Sequence, residues 1–350
     1  MLFVCFNNVF VNGQNIQPIE RSVGKLRVSI DPRMELLTAV QLSSNYPFIN
    51  RGTDYSKDAI KFFESFSSHE AAKMTDNLQQ KYGFSYDAPP NFMMHISQPT
   101  ELMLQIGLSD YLLKRSGGGD HLEQYRKSIK QFVEESNFET FWNNKIQFYN
   151  QILDLTIVEA GEIDFIRQLE AYYNNTQKSF NLIIAPAFGG GFGARIPDAE
   201  ENYDLYAFVS PTHTKEGIPY LDQFNFLGMC WHEFGHSFVN PLTEQYAESV
   251  ASLNKLYEPI KEKMTKQAYP TWETCINEHI VRAVVIRLVD LNFGSTPSKS
   301  LTDYELSISY IYMEPILEKL KEFEKKRDEN GITFSDFYPE LLNALGNLQP

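Results

Sequence analysis

The residues with the clearest chemical potential are His232, Glu233 and His236, which form an H-E-x-x-H motif. On an α-helix with about 3.6 residues per turn, histidines four positions apart project from one face and can bind one metal ion. Neutral imidazole suits Zn²⁺. Glu233 lies beside that face, where it can accept a proton from a metal-activated water as general base. The motif therefore predicts a hydrolytic zinc site, and the alternative is a chance pair of structural histidines.

The segment around the motif has the pattern of a helix packed on a core. Its apolar residues recur three or four positions apart, which is typical of one buried helix face. These residues are Phe224, Leu227, Trp231, Phe234 and Phe238. Pro241 disfavours the α conformation in Asn240, so we expect the helix to end at this point.

A catalytic zinc takes three protein ligands, and glutamate is a common third ligand beside two histidines. The best source is the segment 271–289, whose second half has the pattern of a buried helix. Glu278 lies deepest in it, so its carboxylate would be desolvated unless it met a cation. Arg282, four residues on, is the alternative partner. We predict Glu278 as the third ligand, with Glu273 and Glu244 as the next candidates.

Length and charge limit the classes of function. A chain of 350 residues exceeds the usual size of a single core, so one large domain or two closely packed domains are expected. The net charge of −14 argues against a nucleic-acid partner, because phosphates would be repelled. No apolar run approaches the roughly 20 residues of a spanning helix, so we predict no transmembrane segment.

Residues 1–23 begin with a short apolar stretch that resembles the end of a secretory signal without its basic opening. This interpretation predicts export to the periplasm or the extracellular space, with membrane attachment through Cys5 as an option. The alternative is an apolar strand at the edge of a folded domain, which would be compatible with a cytoplasmic protein.

The remaining chain changes character near residue 180. Residues 24–179 begin with an alternating strand pattern at 25–30 and continue with helical patterns at 58–66, 68–82, 101–114, 121–135, 138–160 and 163–173. Residues 180–350 contain two further strand patterns, at 180–186 and 205–209, before the motif helix and the later helices. We therefore predict an α+β, mainly α fold, with a mostly helical first domain and a second domain that contains a small sheet.

A glycine-rich segment separates those two strand patterns. Gly189, Gly191 and Ala194 fit the G-x-G-x-x-G/A spacing of a dinucleotide-binding turn. That fingerprint must open a helix, and Pro197 would break one. A glycine-rich hairpin, or a backbone edge approached by a substrate, fits the segment better.

The motif and the distal segment that contains Glu278 and Arg282 resemble the gluzincin class of zinc metallopeptidases. In that class two motif histidines and a glutamate on a following helix hold the metal. The enzyme-class resemblance covers residues of about 180 to 290. The wider chain, with Ile30-Asp31-Pro32 and Asp87-Ala88-Pro89-Pro90, is similar to an uncharacterised bacterial domain-of-unknown-function family of presumed exported gluzincin-like proteins.

The resemblance implies that residues 180–350 form a zincin-like metallopeptidase domain. The implied substrate is a peptide or protein, which the strand near 182–186 or 205–209 would align by edge pairing. Gluzincins often use a downstream tyrosine or histidine as oxyanion donor, which makes Tyr310 and Tyr312 the catalytic candidates, with His279 and Arg282 as alternatives. The competing interpretation is a zinc-containing binding or scaffold protein without turnover, because an intact motif does not guarantee an open coordination position.

Cys230 and Cys275 lie two and three residues before predicted zinc ligands. Their helical offsets from those ligands differ, so neither thiol need point at the metal. We predict two buried, unpaired thiols that act as small apolar side chains.

Overall fold

The computed structural model describes residues 16–161, 164–198, 200 and 202–348. Helices dominate, and they surround one five-stranded mixed sheet and a separate two-stranded sheet. The predicted α+β, mainly α fold class is therefore confirmed. Of the segment interpreted as a leader, residues 1–15 lie outside the described residues. Across the described part of the chain, none of the helices combines the length and apolarity needed to span a bilayer.

The main sheet combines strands from both sides of residue 180. Its strands are β1 (Ile19–Val23), β2 (Leu26–Ile30), β3 (Ser179–Ile184), β4 (Gly191–Pro197) and β5 (Tyr203–Val209). Their order is β1-β2-β3-β5-β4, so β1 and β4 are the edges. The β2–β3 and β3–β5 pairs are parallel, whereas β1 and β4 run antiparallel to their neighbours. The three strands expected from the sequence are confirmed as β2, β3 and β5.

The glycine-rich segment forms the edge strand β4 and opens no helix, which removes the dinucleotide-binding interpretation. The next two strands, β6 (His213–Lys215) and β7 (Ile218–Tyr220), form the small second sheet.

Eight helices lie between β2 and β3 in the described part of the chain: α1 (Pro32–Ser43), α2 (Asp54–Phe62), α3 (Glu70–Tyr82), α4 (Ala88–Met94), α5 (Asp110–Ser116), α6 (Gly119–Glu135), α7 (Phe138–Ala160) and α8 (Phe165–Tyr173). One expectation was wrong. The helix expected from residue 101 starts only at Asp110, where Ser109 caps the amide of Leu112. Pro89 and Pro90 lie in the first turn of α4, where proline is tolerated.

Seven α-helices follow β7 among the described residues: α9 (Gln223–Gln245), α10 (Ala247–Ser252), α11 (Lys261–Lys266), α12 (Trp272–Phe293), α13 (Ser295–Ser307), α14 (Met313–Asn330) and α15 (Phe334–Gly346). Helix α9 carries the H-E-x-x-H motif and packs between the main sheet and α12. Gly235 permits this close approach, because a Cβ there would lie 3.2 Å from a methyl carbon of Val281 on α12.

Helix α9 does not end at Asn240 as expected but continues through Pro241 to Gln245. Proline inside a helix costs about 3 kcal/mol through its missing N–H and its steric clash. The turn beyond it is held by tertiary contacts, since the buried hydroxyl of Thr243 lies 2.6 Å from that of Tyr338 and also donates to Asn277. These contacts outweigh the local preference of proline.

The apolar stripe of α9 packs largely as its spacing predicts. Phe234 meets Phe180 of β3 edge to face, and Phe238 stacks on Tyr173 of α8 with ring centroids 4.4 Å apart. Phe224 is the exception, because it is 45% exposed in the first turn. The buried stripe fixes the rotation of α9 and therefore the direction of the motif side chains.

Candidate metal centre

The structure brings together the three ligands predicted from the sequence. The Nε2 atoms of His232 and His236, both on α9, are 3.3 Å apart. The carboxylate of Glu278 on α12 lies 3.2 Å from Nε2 of His236 and 3.6 Å from Nε2 of His232. A tetrahedral zinc with bonds of about 2.1 Å has ligand atoms about 3.4 Å apart. The donor types and their spacing therefore fit three ligands of one zinc, with a fourth position left for water or substrate.

These side chains are mostly buried but remain in contact with solvent. The side chains of His232 and His236 are each 18% exposed, and that of Glu278 is 9% exposed. Within the described residues, no other group of three or more histidine, cysteine or acidic side chains is close enough together to hold one ion. The centre is shielded by protein yet accessible to solvent. A catalytic zinc site needs such access, whereas a structural zinc site is closed.

The charges of the triad are strongly coupled. Burial opposes the ionisation of Glu278, but the two histidines and Arg282 outweigh it and hold the pKa of this carboxyl well below its usual range. Burial also opposes the protonation of His236, but the charge of Glu278 raises its pKa to about 9. Burial lowers the pKa of His232 to about 3. Without metal the triad thus keeps one proton on His236, which a bound cation would displace.

Two further side chains orient the ligands. Nδ1 of His236 lies 3.2 Å from Oδ1 of Asn240, so the ring can donate there and leave Nε2 free for a metal. Arg282 donates from Nε to Glu278 over 3.1 Å and from Nη1 to Glu305 over 3.0 Å. The pairing of Glu278 with Arg282, considered as an alternative to metal binding, therefore occurs through the same carboxylate that faces the histidines. Asn240 was considered only as a helix stop, although its spacing of four residues from His236 was a usable signal.

Glu233 lies against the edge strand β4. A Cβ atom on Gly191 would lie 2.7 Å from Oε1 of Glu233, and one on Gly193 would lie 3.2 Å from the main-chain oxygen of Glu233. Glycine at positions 191 and 193 therefore leaves the space that Glu233 occupies. Glu233 is buried, and burial raises its pKa to about 7. A carboxylate with a pKa near neutrality suits a general base at physiological pH.

The outer edge of β4 offers main-chain hydrogen-bonding groups. The amide of Ser210 donates to the carbonyl of Gly190 over 3.0 Å, which sets the alternation of the β4–β5 ladder. By this alternation, Gly191, Gly193 and Arg195 direct their N–H and C=O groups away from β5. The expectation that β3 or β5 aligns a peptide was wrong, because both strands are paired on both sides.

Residues from the helical first half also reach the candidate site. Asp87, in the turn before α4, accepts a hydrogen bond of 2.6 Å from the hydroxyl of Tyr111, and its charge acts on both Glu233 and His236. The neighbouring Tyr86 is 37% exposed and lies beside Phe192 of β4, with ring centroids 6.2 Å apart. The candidate site therefore combines residues from both sides of residue 180.

The two predicted catalytic tyrosines have different positions. The ring of Tyr310 lies under the guanidinium of Arg282, at 4.5 Å, and its buried hydroxyl faces that of Tyr269. The hydroxyl of Tyr312 instead donates to the carbonyl of Leu256, and the structure shows no contact between Tyr312 and the described ligands. His279 is fully buried and bonds from Nδ1 to the carbonyl of Cys275 over 2.8 Å.

Tyr269, which the sequence did not indicate, lies in the loop before α12. Its ring is 6.5 Å from that of Tyr310, the residue is partly buried, and its hydroxyl interacts with Arg282 and with the charge of Glu278. Burial, together with the charge of Glu278, raises its pKa to about 12, so the hydroxyl stays a proton donor at neutral pH. No spacing rule links Tyr269 to the motif, because the tertiary fold alone brings this loop to the site.

Cys230 and Cys275 are buried and unpaired. Burial raises the pKa of the Cys275 thiol to about 12, and it also raises the pKa of the Cys230 thiol. Neither thiol belongs to the cluster of metal-binding side chains, as expected from their helical offsets.

Comparisons with known proteins give a family but no activity. One protein-family model, described as "Domain of unknown function (DUF4932)", matches residues 26–344. Searches of curated proteins and of solved structures gave no match. The matched region contains the main sheet from β2 onward, the helical first half, and all the ligands and neighbouring side chains of the candidate site. Since the match covers most of the chain, the protein belongs to the DUF4932 family of domains of unknown function.

Proposed function

We propose that this protein is a zinc-dependent peptide hydrolase. The observation that carries the proposal is the convergence of His232, His236 and Glu278 at the spacing of tetrahedral zinc ligands. Glu233 lies beside this centre with a pKa near neutrality. The resemblance of the motif to gluzincins supports the same reaction class.

In this proposal the side chains divide the chemistry between them. Zn²⁺ held by His232, His236 and Glu278 would supply a Lewis acid for the scissile carbonyl and would lower the pKa of the attacking water towards about 7. Glu233 accepts a proton from that water and delivers it to the leaving amine. Asn240 and Arg282 hold their ligands in place through the hydrogen bonds described above.

The substrate aligns along β4. An extended peptide can add to a free sheet edge by main-chain hydrogen bonds. The outward-facing groups of Gly191 and Gly193 would place such a peptide directly beside Glu233. This arrangement gives both glycines a second role, since they make room for Glu233 on one side and bind the peptide backbone on the other.

The oxyanion donor that the geometry favours is Tyr269. Its hydroxyl remains protonated and lies near the proposed ligand Glu278, and the residue is only partly buried, so the hydroxyl can donate to a substrate oxygen. Tyr310 contributes by packing against both Tyr269 and Arg282. Tyr312 has no part in this proposal, because its hydroxyl is occupied by Leu256.

The experiment combines metal analysis with cleavage of a peptide library followed by mass spectrometry. The wild-type protein should carry about one zinc and cleave peptides, and a chelator should stop cleavage. Glu233→Gln should retain zinc and lose cleavage, whereas His232→Ala, His236→Ala and Glu278→Ala should lose both.

Two results would count against the proposal. Full zinc retention in Glu278→Ala would reject this residue as third ligand and favour Glu273 or Glu244. A wild-type protein that holds zinc but cleaves no peptide would favour a zinc-containing binding or scaffold protein instead.

A further inference from the structure

Arg195 lies on β4, two residues beyond Gly193. Side chains alternate along a strand, so Arg195 projects from the same face as the two glycines that lie against Glu233. Two strand residues span about 7 Å. Arg195 therefore lies on the same strand and the same sheet face as the general-base site, one two-residue repeat further along.

The guanidinium of Arg195 has no ionic partner among the described residues. It stacks on the ring of Tyr203 at 4.0 Å, and its buried Nε donor has no hydrogen-bond acceptor there. The other partly buried arginines near the core differ, since Arg33, Arg282 and Arg287 each bond to a carboxylate. The negative charge of Glu244 on α9 acts to raise the pKa of Arg195, but the two side chains do not form an ion pair.

This unpaired state is unfavourable for the isolated protein. A buried donor without an acceptor has lost its hydration and gained nothing in exchange. Burial also lowers the pKa of Arg195, because it disfavours the charged guanidinium. A planar guanidinium stacked on an aromatic ring is held in one orientation, and its remaining donors match the two oxygens of a carboxylate.

We propose that Arg195 determines substrate specificity by binding a carboxylate of the peptide that pairs with β4. This proposal rests on the hydrolase function proposed above. Side chains directly opposite each other on paired strands point to the same face. The carboxylate would thus belong to the peptide residue opposite Arg195, two residues from the one opposite Gly193. Its source is either an acidic side chain or a free C-terminus, since both present the same group.

The net charge of the chain sharpens the test. At −14, long-range electrostatics disfavour the approach of acidic peptides. A preference for glutamate at one peptide position must therefore come from a local contact with a cation. Such a preference should also persist at high salt better than an effect of overall charge would, because a partly buried pair is screened less.

Binding is measured in the Glu233→Gln background, so that the readout does not depend on turnover. The probes are fluorescein-labelled octapeptides from a positional library, in which one position at a time is Glu, Gln or Lys. Fluorescence anisotropy should show tighter binding of Glu than of Gln at one position, by about tenfold or more. A second set with amidated C-termini separates a side-chain carboxylate from a terminal one, because amidation removes only the latter.

The variants added to this background are Arg195→Gln, Arg195→Lys and the control Arg27→Gln, which removes a 59% exposed arginine from β2 of the same sheet. Arg195→Gln should abolish the discrimination between carboxylate and amide. Arg195→Lys keeps the positive charge but loses the planar guanidinium, so it should reduce the discrimination between carboxylate and amide. This variant also keeps the test valid if Arg195→Gln folds poorly. Zinc content and circular dichroism report whether each variant is folded.

Three outcomes decide the matter. Equal binding of Glu and Gln peptides, or of acid and amide termini, by the parent overturns the assignment of Arg195. A preference that survives in folded Arg195→Gln also overturns it. The wild-type protein could also cleave no peptide and still show a carboxylate preference that depends on Arg195. This result would reject the hydrolase proposal and support the assignment of Arg195.

Discussion

Replacing Glu35 by glutamine should remove a large pH dependence from the stability of the protein. Glu35, on α1, is fully buried and accepts hydrogen bonds from the hydroxyls of Tyr55 and Tyr149, the latter at 3.3 Å. Its second oxygen, Oε1, has no partner among the described residues. Burial raises the pKa of this carboxyl from 4.5 to about 7, even though both tyrosines favour the charged form.

The direction and size of the effect follow from linkage. Because the folded-state pKa is the higher one, the folded protein binds the proton more tightly than the unfolded chain does. The associated stability is fully present below pH 4.5 and is lost as the pH rises towards 7. At about 1.4 kcal/mol per pKa unit, the loss is on the order of 3 kcal/mol. Glu35→Gln keeps the shape and the acceptor but cannot ionise, so this loss should disappear.

The assay is urea unfolding of the parent and of Glu35→Gln at pH 4.5 and pH 8. The change in unfolding free energy between the two pH values should be about 3 kcal/mol smaller in the variant, because the other titrating groups cancel in the comparison. Glu258→Gln, which alters a 63% exposed side chain, is the control and should behave as the parent. An unchanged pH dependence in Glu35→Gln would refute the reasoning, since it would mean that Glu35 ionises normally.

Three further predictions concern the candidate site. Arg282→Met should weaken zinc binding by about 10- to 100-fold, because Glu278 loses the donor that orients it. Chelator competition measures the zinc affinity. An unchanged affinity would show that Arg282 does not support the metal site. Gly191→Ala should lower kcat/KM while zinc content stays the same, since the added Cβ would displace Met229 or Glu233. Full activity of this variant would show that β4 can shift to accommodate the added methyl group. Cys230 and Cys275 should react with a thiol reagent only after unfolding, because burial raises the pKa of each thiol; rapid labelling of folded protein would contradict the packing of α9 against α12.

The sequence by itself determined the parts of the site that depend on local geometry. The spacing of His232 and His236 places two imidazoles on one face of any α-helix, whatever the surrounding fold. Glu278 was identifiable because a carboxylate within a buried helical pattern needs a cation or a metal. The order of most helices and of three strands was likewise readable, since apolar periodicity reports which face of an element is buried.

Other features were decided only by tertiary structure. The course of α9 through Pro241 depends on the contacts of Thr243 with α12 and α15, which no local rule for proline includes. The sequence indicated a hairpin or a backbone edge at β4, but it did not show that the glycines of this strand make room for Glu233. Tyr269 reaches Glu278 from a loop. Such contacts join residues far apart in the chain, and their energies belong to the packed structure, whereas periodicity and spacing record only what neighbours along the chain require.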